Sequence, residues 1–280
     1  MTENNEQIQI NEAVETAEHG HTIYAEPILH IGSFTVTNSL LNSWLAVILI
    51  VLFAFIVKKR IKTIPGKLQV FVEIVVEGFL DFFDSITASR KKSEKFFPFI
   101  FTFFIYILLS NWIGILPGIG SIGKMVAENG HEVFVPYFRG GTADLNTTLA
   151  LAIIGVVASH IVGVIFIGWW NHLNKFINLK TFAEIPKKFK KDKMVLLVNP
   201  IQALASLLEI ITEFAKVASL SFRLFGNIFA GEVLLASMSA MLAFGLPIPF
   251  MFLEVLVGFV QALVFSLLVL SYLSMSTEKH

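Results

Sequence analysis

Seven polar or charged side chains interrupt the two apolar stretches that close the chain. The first stretch carries Glu209, Glu213, Lys216, Arg223 and Glu232, and the second carries Glu254 and Gln261. A charge at the centre of a bilayer costs about 2.5–3.5 kcal/mol on insertion scales, so it is kept where it faces a cavity or a partner. Glu213 and Lys216 are three residues apart and can pair on one helix face, and Glu209 fits a position near the membrane surface. Arg223 has no carboxylate within four residues. Asn227 lies one turn further on the same face, and Glu232 lies nine residues on, about 13 Å along a helix axis. An antiparallel hairpin brings residues equidistant from its turn to equal depth. That sets Arg223 level with Gln261 and Glu232 level with Glu254, and Glu254 and Gln261, seven apart, share a face. The pattern is a deep cationic layer and a carboxylate pair on its outer side. Its chemistry would be ion transfer without a covalent step, in which each carboxylate of the pair could partly cover for the other. A purely structural reading needs every charge neutralised locally, and Arg223 is not.

Other chemistries find little support. The chain has no Cys, which excludes disulfides, thiolate catalysis and Cys-based metal sites. His19, His21 and His30 lack the companion ligands of a metal site, so neither a metal nor another cofactor is expected. Gly118 to Gly123 matches G-x-G-x-x-G, and Gly118 to Lys124 matches G-x-x-x-x-G-K. Both motifs need a strand before and a helix after, and the second needs Ser or Thr where Met125 stands. No nucleotide site is expected, so the chain is not read as an enzyme. Its net charge of zero argues against nucleic acid as a partner.

The elements that must position these residues are membrane spans. Of 280 residues, 55% are hydrophobic and 15% charged, against about 25% charged in soluble chains. Five spans are expected, at about 40–57, 96–117, 145–170, 200–244 and 249–275, each close to or beyond the roughly 20 residues needed to cross. Gly245-Leu246-Pro247-Ile248-Pro249 marks a tight turn between the last two. Residues 67–88 differ: Glu73, Glu77, Asp81 and Asp84 recur at helical spacing, with apolar residues covering the rest. This predicts an amphipathic helix whose acidic stripe faces water or a basic partner rather than anionic lipid. Residues 1–39 read as an acidic tail and 40–276 as the membrane domain. The tail's lack of Lys and Arg is unlike a signal peptide. Nine of the 21 Lys and Arg fall in 58–95 and seven in 175–193. The positive-inside rule therefore predicts a cytoplasmic location for those segments and for the C-terminus, with the N-terminus and the 118–144 loop outside.

The run Ser219-Leu-Ser-Phe-Arg-Leu-Phe-Gly-Asn-Ile-Phe-Ala-Gly-Glu232 resembles the signature of the a subunit of rotary F-type ATP synthases. Asn111-Trp-Ile-Gly-Ile-Leu-Pro117, Thr142-Ala-Asp-Leu-Asn-Thr-Thr-Leu149 and the ending from Gln261 to Met275 agree with the same family, so the resemblance covers about residues 40 to 275. It implies an all-α integral membrane protein of about five transmembrane helices plus one cytoplasmic in-plane amphipathic helix. The last two spans would form a long, slanted hairpin. On this resemblance the chain would be the stationary proton or Na+ channel of the Fo sector, in a bacterial plasma membrane. It would offer two half-channels to a rotor ring of small c-type hairpins, beside b-type peripheral-stalk subunits and membrane lipid. Arg223 would face the rotor and stop the half-channels from short-circuiting. Glu232, Glu254, Asn227, Gln261 and Asp144 would line the ion path or support the arginine. Many relatives carry one carboxylate and one histidine where this chain has Glu232 and Glu254. The alternatives are a self-contained ion-coupled transporter, for which an internal repeat is missing, and a structural assembly subunit, which would not need Arg223. From the sequence alone, residues 200–244 could be one helix or a broken one.

Overall fold

The computed structural model describes residues 25–32, 34–116, 118–119, 122–128, 131–170, 195–241, 245 and 247–277. Most of the acidic tail, including His19 and His21, and the basic segment 175–193 lie outside the described residues. In chain order the elements are β1 (Pro27–Ile31), β2 (Phe34–Thr37), α1 (Asn38–Arg60), α2 (Lys67–Thr87) and α3 (Arg90–Ile115). They are followed by β3 (Gly123–Glu128), β4 (His131–Pro136), a 3-10 turn (Gly141–Ala143), α4 (Leu145–Ile167), α5 (Val195–Met241) and α6 (Pro247–Ser276). Five of the six described helices, all but α2, are long and apolar enough to cross a membrane. The all-α membrane architecture expected from the sequence is therefore the one found.

Four features depart from the expectation or sharpen it. The stretch 1–39 does not run to the membrane as a simple tail, because Pro27–Ile31 and Phe34–Thr37 pair as an antiparallel hairpin. A second hairpin, β3–β4, forms in the loop before α4. Lys124 Nζ donates to the Ile28 carbonyl at 2.6 Å and joins the two. The glycine motif at 118–124 thus follows a helix and enters a strand, the reverse of a phosphate loop. Third, Val195–Met241 is a single helix of 47 residues, which resolves the choice between one helix and two. Its apolar part, Leu208–Met241, has 34 residues and is about 51 Å long. A bilayer core about 30 Å thick accommodates that only if the helix slants beyond the usual 40° or projects from the core. The turn into α6 follows from Gly245, whose φ of +93° is open to glycine, and from Pro247 in the first turn of the new helix.

The fourth feature concerns α2. Its acidic stripe is answered from within the chain. Arg90, at the start of α3, pairs with Glu77 at 2.5 Å, Asp81 at 2.8 Å and Asp84 at 3.1 Å. Glu73 accepts from Gln69. The stripe thus meets a basic residue of its own chain while Glu77 and Asp81 stay largely exposed to their surroundings. The Ser93 hydroxyl beside Asp84, together with Arg90, holds the Asp84 carboxyl below its ordinary value despite partial desolvation.

The core is aromatic and lies where α6 meets α2, α3 and α4. Phe83, Ile100, Phe104, Ile107, Val269 and Leu270 are buried there. By contrast α1 stands at the edge, with Val47, Ile48, Val51 and Leu52 turned outward. It is held near its start by polar bonds: Asn42 Nδ2 to the Ser110 carbonyl at 2.9 Å, and Tyr106 Oη to Ser43 at 3.0 Å.

Candidate functional site

The two polar layers differ in how the chain surrounds them. In the deep layer, Ser219, Arg223, Asn227 and Ala230 follow one another at helical spacing and all are exposed. Arg223 Nη2 reaches Ser219 Oγ at 3.4 Å, a long and weak bond. Among the described residues Arg223 has no ion pair. Among the same residues the Asn227 side chain has no hydrogen bond, and half-buried Gln261 does not hydrogen-bond to Arg223. The buried residues of this stretch, Leu220, Ser221, Leu224 and Ile228, occupy the opposite side of α5. Packing of that side against α4 and α6 forces Arg223 outward.

The register expected for the hairpin is seen two to three turns from its end. A Cβ built on Gly231 would stand 2.8 Å from Glu254 Oε1, so Glu254 lies against the α5 backbone beside Glu232. Lower down, Lys216 sits over the Tyr272 ring at 5.0 Å. Rising numbers on α5 thus meet falling numbers on α6, as an antiparallel pair requires. The pairing of Lys216 with Glu213 is also present, at 2.7 Å. Glu213 has a second partner, His160 of α4, at 3.4 Å, which places that histidine away from Glu232 and Glu254.

The outer layer holds a residue that sequence reasoning passed over. Arg139, 8% exposed, donates from Nε to Glu232 Oε2 at 3.0 Å. The Gly140 N–H donates to the same carboxylate. In the sequence Arg139 is one of the two Lys and Arg residues of the loop 118–144, the other being Lys124. Its one available signal was position, a cation five residues before Asp144 and next to a Gly-Gly pair. Glycine is needed at both faces of this contact. A Cβ on Gly140 would lie 2.9 Å from Glu232 Oε1, and one on Gly114 would lie 2.7 Å from the Gly140 Cα.

Asp144 occupies a structural position. It caps α4 by accepting from the Asn146 N–H at 3.1 Å, accepts from Thr147 Oγ1 at 3.2 Å, and accepts from Ser39 Oγ of α1 at 3.1 Å. The two other motif stretches explain themselves in the same network. Buried Asn111 accepts from Thr142 Oγ1 and donates to the Gly258 carbonyl at 3.3 Å. Trp112 Nε1 donates to the Val255 carbonyl at 3.2 Å. Together they tie α6, through α3, to the segment that carries Arg139. The structure therefore brings Glu232, Glu254 and Arg139 together, and keeps Arg223 and Asn227 on an open face.

Comparison with known proteins gives a consistent answer. The family model described as ATP synthase A chain matches residues 40–274. The ATP synthase subunit a of Desulfotalea psychrophila is 37% identical over 237 residues, covering 82% of each chain. Those of Trichlorobacter lovleyi and Geobacter sulfurreducens are each 32% identical, covering 90% of this chain and 92% of the relative. The match spans every helix described above and includes both polar layers, so this chain belongs to the ATP synthase A chain family.

Proposed function

We propose that this chain is the stationary ion-channel subunit of an ATP synthase Fo sector, presenting two half-channels to a rotor ring of small c-type hairpins and coupling ion flow to rotation. The observation that carries this reading is Arg223, a permanent cation in mid-helix, exposed, with no ion pair among the described residues. A guanidinium left open at membrane depth calls for an anionic partner from another chain. A rotor carboxylate is such a partner. Arg223 lowers the cost of that carboxylate when it is bare, and blocks direct leakage between the half-channels. Glu232, Glu254 and Asp144 belong to the outer half-channel side, while Asn227 and Gln261 support the deep layer. The ion is H+ or Na+, and the subunit itself carries out no covalent chemistry. Peripheral-stalk b-type subunits and lipid complete its surroundings.

The test is Arg223→Ala. ATP-driven ion pumping is expected to stop while the chain remains inserted and copurifies with the rotor. Near-normal coupled pumping overturns the reading. Orientation is tested separately, on a background without Cys. Met125→Cys is expected to react with an impermeant thiol reagent from outside and Ile64→Cys only from inside, both positions being exposed. Reversed labelling would invert the proposed topology.

A further inference from the structure

Glu232 and Glu254 share one depth, but their carboxylates are not equivalent. Glu232 is held on both sides. Arg139 Nε donates to Oε2 at 3.0 Å, the Gly140 N–H donates to the same group, and Oε1 lies against the Gly140 Cα. Arg139 is itself held within the fold, with its guanidinium 5.9 Å from the Phe229 ring. Glu254 is 4% exposed, and its Oε2 is buried with no hydrogen-bond partner among the described residues. A carboxylate oxygen without a donor is where a proton or a hydrated ion can bond. One already holding a guanidinium and an amide is not.

We propose that Arg139 is a positioning residue for ion transfer, pairing with Glu232 to make a fixed neutral unit and leaving Glu254 as the carboxylate that exchanges the ion. This rests on the channel reading above and adds a division of labour within it. Two neighbouring carboxylates otherwise repel and titrate as a coupled pair. A guanidinium stays charged throughout, so it cancels one of the two permanently. Loading and unloading Glu254 then proceeds without a second negative charge beside it. The remaining charges on elements packed against α6 are engaged elsewhere or distant. Glu213 holds His160 and Lys216. Arg90 holds Glu77, Asp81 and Asp84 of α2. The charges of α3 lie between Arg90 and Lys95, Asp144 caps α4, and Arg223 is about 13 Å from Glu232 along α5.

The experiment uses the assembled complex in membrane vesicles. It measures passive conductance for H+ and for Na+ across a pH series, with the amount of assembled complex as an independent readout. Glu254→Gln is expected to lower conductance about a hundredfold, the scale of losing a proton-transfer group. Glu232→Gln is expected to leave it within about tenfold, since it removes only the fixed partner. Arg139→Ala should change the single-step pH profile into a broad two-step one. Adding Glu232→Gln to it should restore the single step, and Arg139→Lys should preserve it. Three results overturn the proposal: an unchanged pH profile in Arg139→Ala, a two-step profile that persists in the double variant, or Glu232→Gln as damaging as Glu254→Gln. If Arg139→Ala does not accumulate, the double variant decides. Its recovery with a single-step profile supports the pairing, and its loss overturns it. Failure of the channel reading itself would show differently, as coupled pumping that survives Arg223→Ala.

Discussion

The outer and deep layers of the same hairpin handle charge in opposite ways. Around Glu232 the chain supplies its own counter-charge: Arg139 arrives from a loop 93 residues away in sequence and closes a part-buried ion pair. Around Arg223 the described residues supply only a long hydrogen bond, to Ser219. Burial of a charge is costly unless it is paired and hydrogen-bonded, so on the proposed reading the closed layer is complete in itself and the open one is kept for a different molecule. On that reading the contrast is between a component of the stator and a contact with something that moves past it. A permanent intramolecular pair at Arg223 would have to break at each passage, whereas Arg139 has no need to release Glu232.

The largest effect that sharpens this contrast is expected at Arg223. Arg223→Lys should fail in ATP-driven pumping nearly as badly as the Ala variant, because a compact ammonium does not replace a planar, delocalised guanidinium. Pumping close to normal with Lys would show that point charge alone suffices in the open layer. A smaller effect, on stability, is expected in the closed layer. In Gly114→Ala the new methyl would meet the Gly140 backbone at 2.7 Å, and overpacking of this kind typically costs about 1–3 kcal/mol. The variant should lower the thermal midpoint of the purified complex, with a weaker Glu232–Arg139 pairing read out as lost assembly. An unchanged midpoint would mean that the two segments separate without cost.

The smallest effect lies outside both layers, in the acidic stripe of α2. The Ser93 hydroxyl and Arg90 hold Asp84 below its ordinary carboxylate value. A depressed folded value means that the contribution is present above the ordinary carboxylate range and is lost as pH falls through the lowered one. Hydrogen exchange at the α2–α3 junction should therefore rise only in acid, and Asp84→Asn should remove that dependence. Since Arg90 and Asp84 are partly exposed and Glu77 and Asp81 largely so, the effect should also shrink with added salt. It serves as the control: a pair near water that can be broken with little consequence for either layer.

Much of this molecule is legible one residue at a time. Spans declare themselves by apolar length, the amphipathic helix by the spacing of Glu73, Glu77, Asp81 and Asp84, and the turn by Gly245 and Pro247. All of these are local properties of consecutive residues. The hairpin register was legible as well, because an antiparallel turn fixes which depths coincide, and Gly231 against Glu254 agrees with it. What stayed hidden was every ion pair between elements. Nothing near Glu232 announces that Arg139 will reach it, nor does the stripe of α2 announce that Arg90 folds back over it. The continuity of α5 was equally undetermined, since a 47-residue helix and two shorter ones share one apolar pattern. Residue types alone therefore established that charges lie at membrane depth. Only the packing of the loop before α4 onto α5 decided which of them is neutralised inside the chain and which is left open, because neutralisation depends on distance in space.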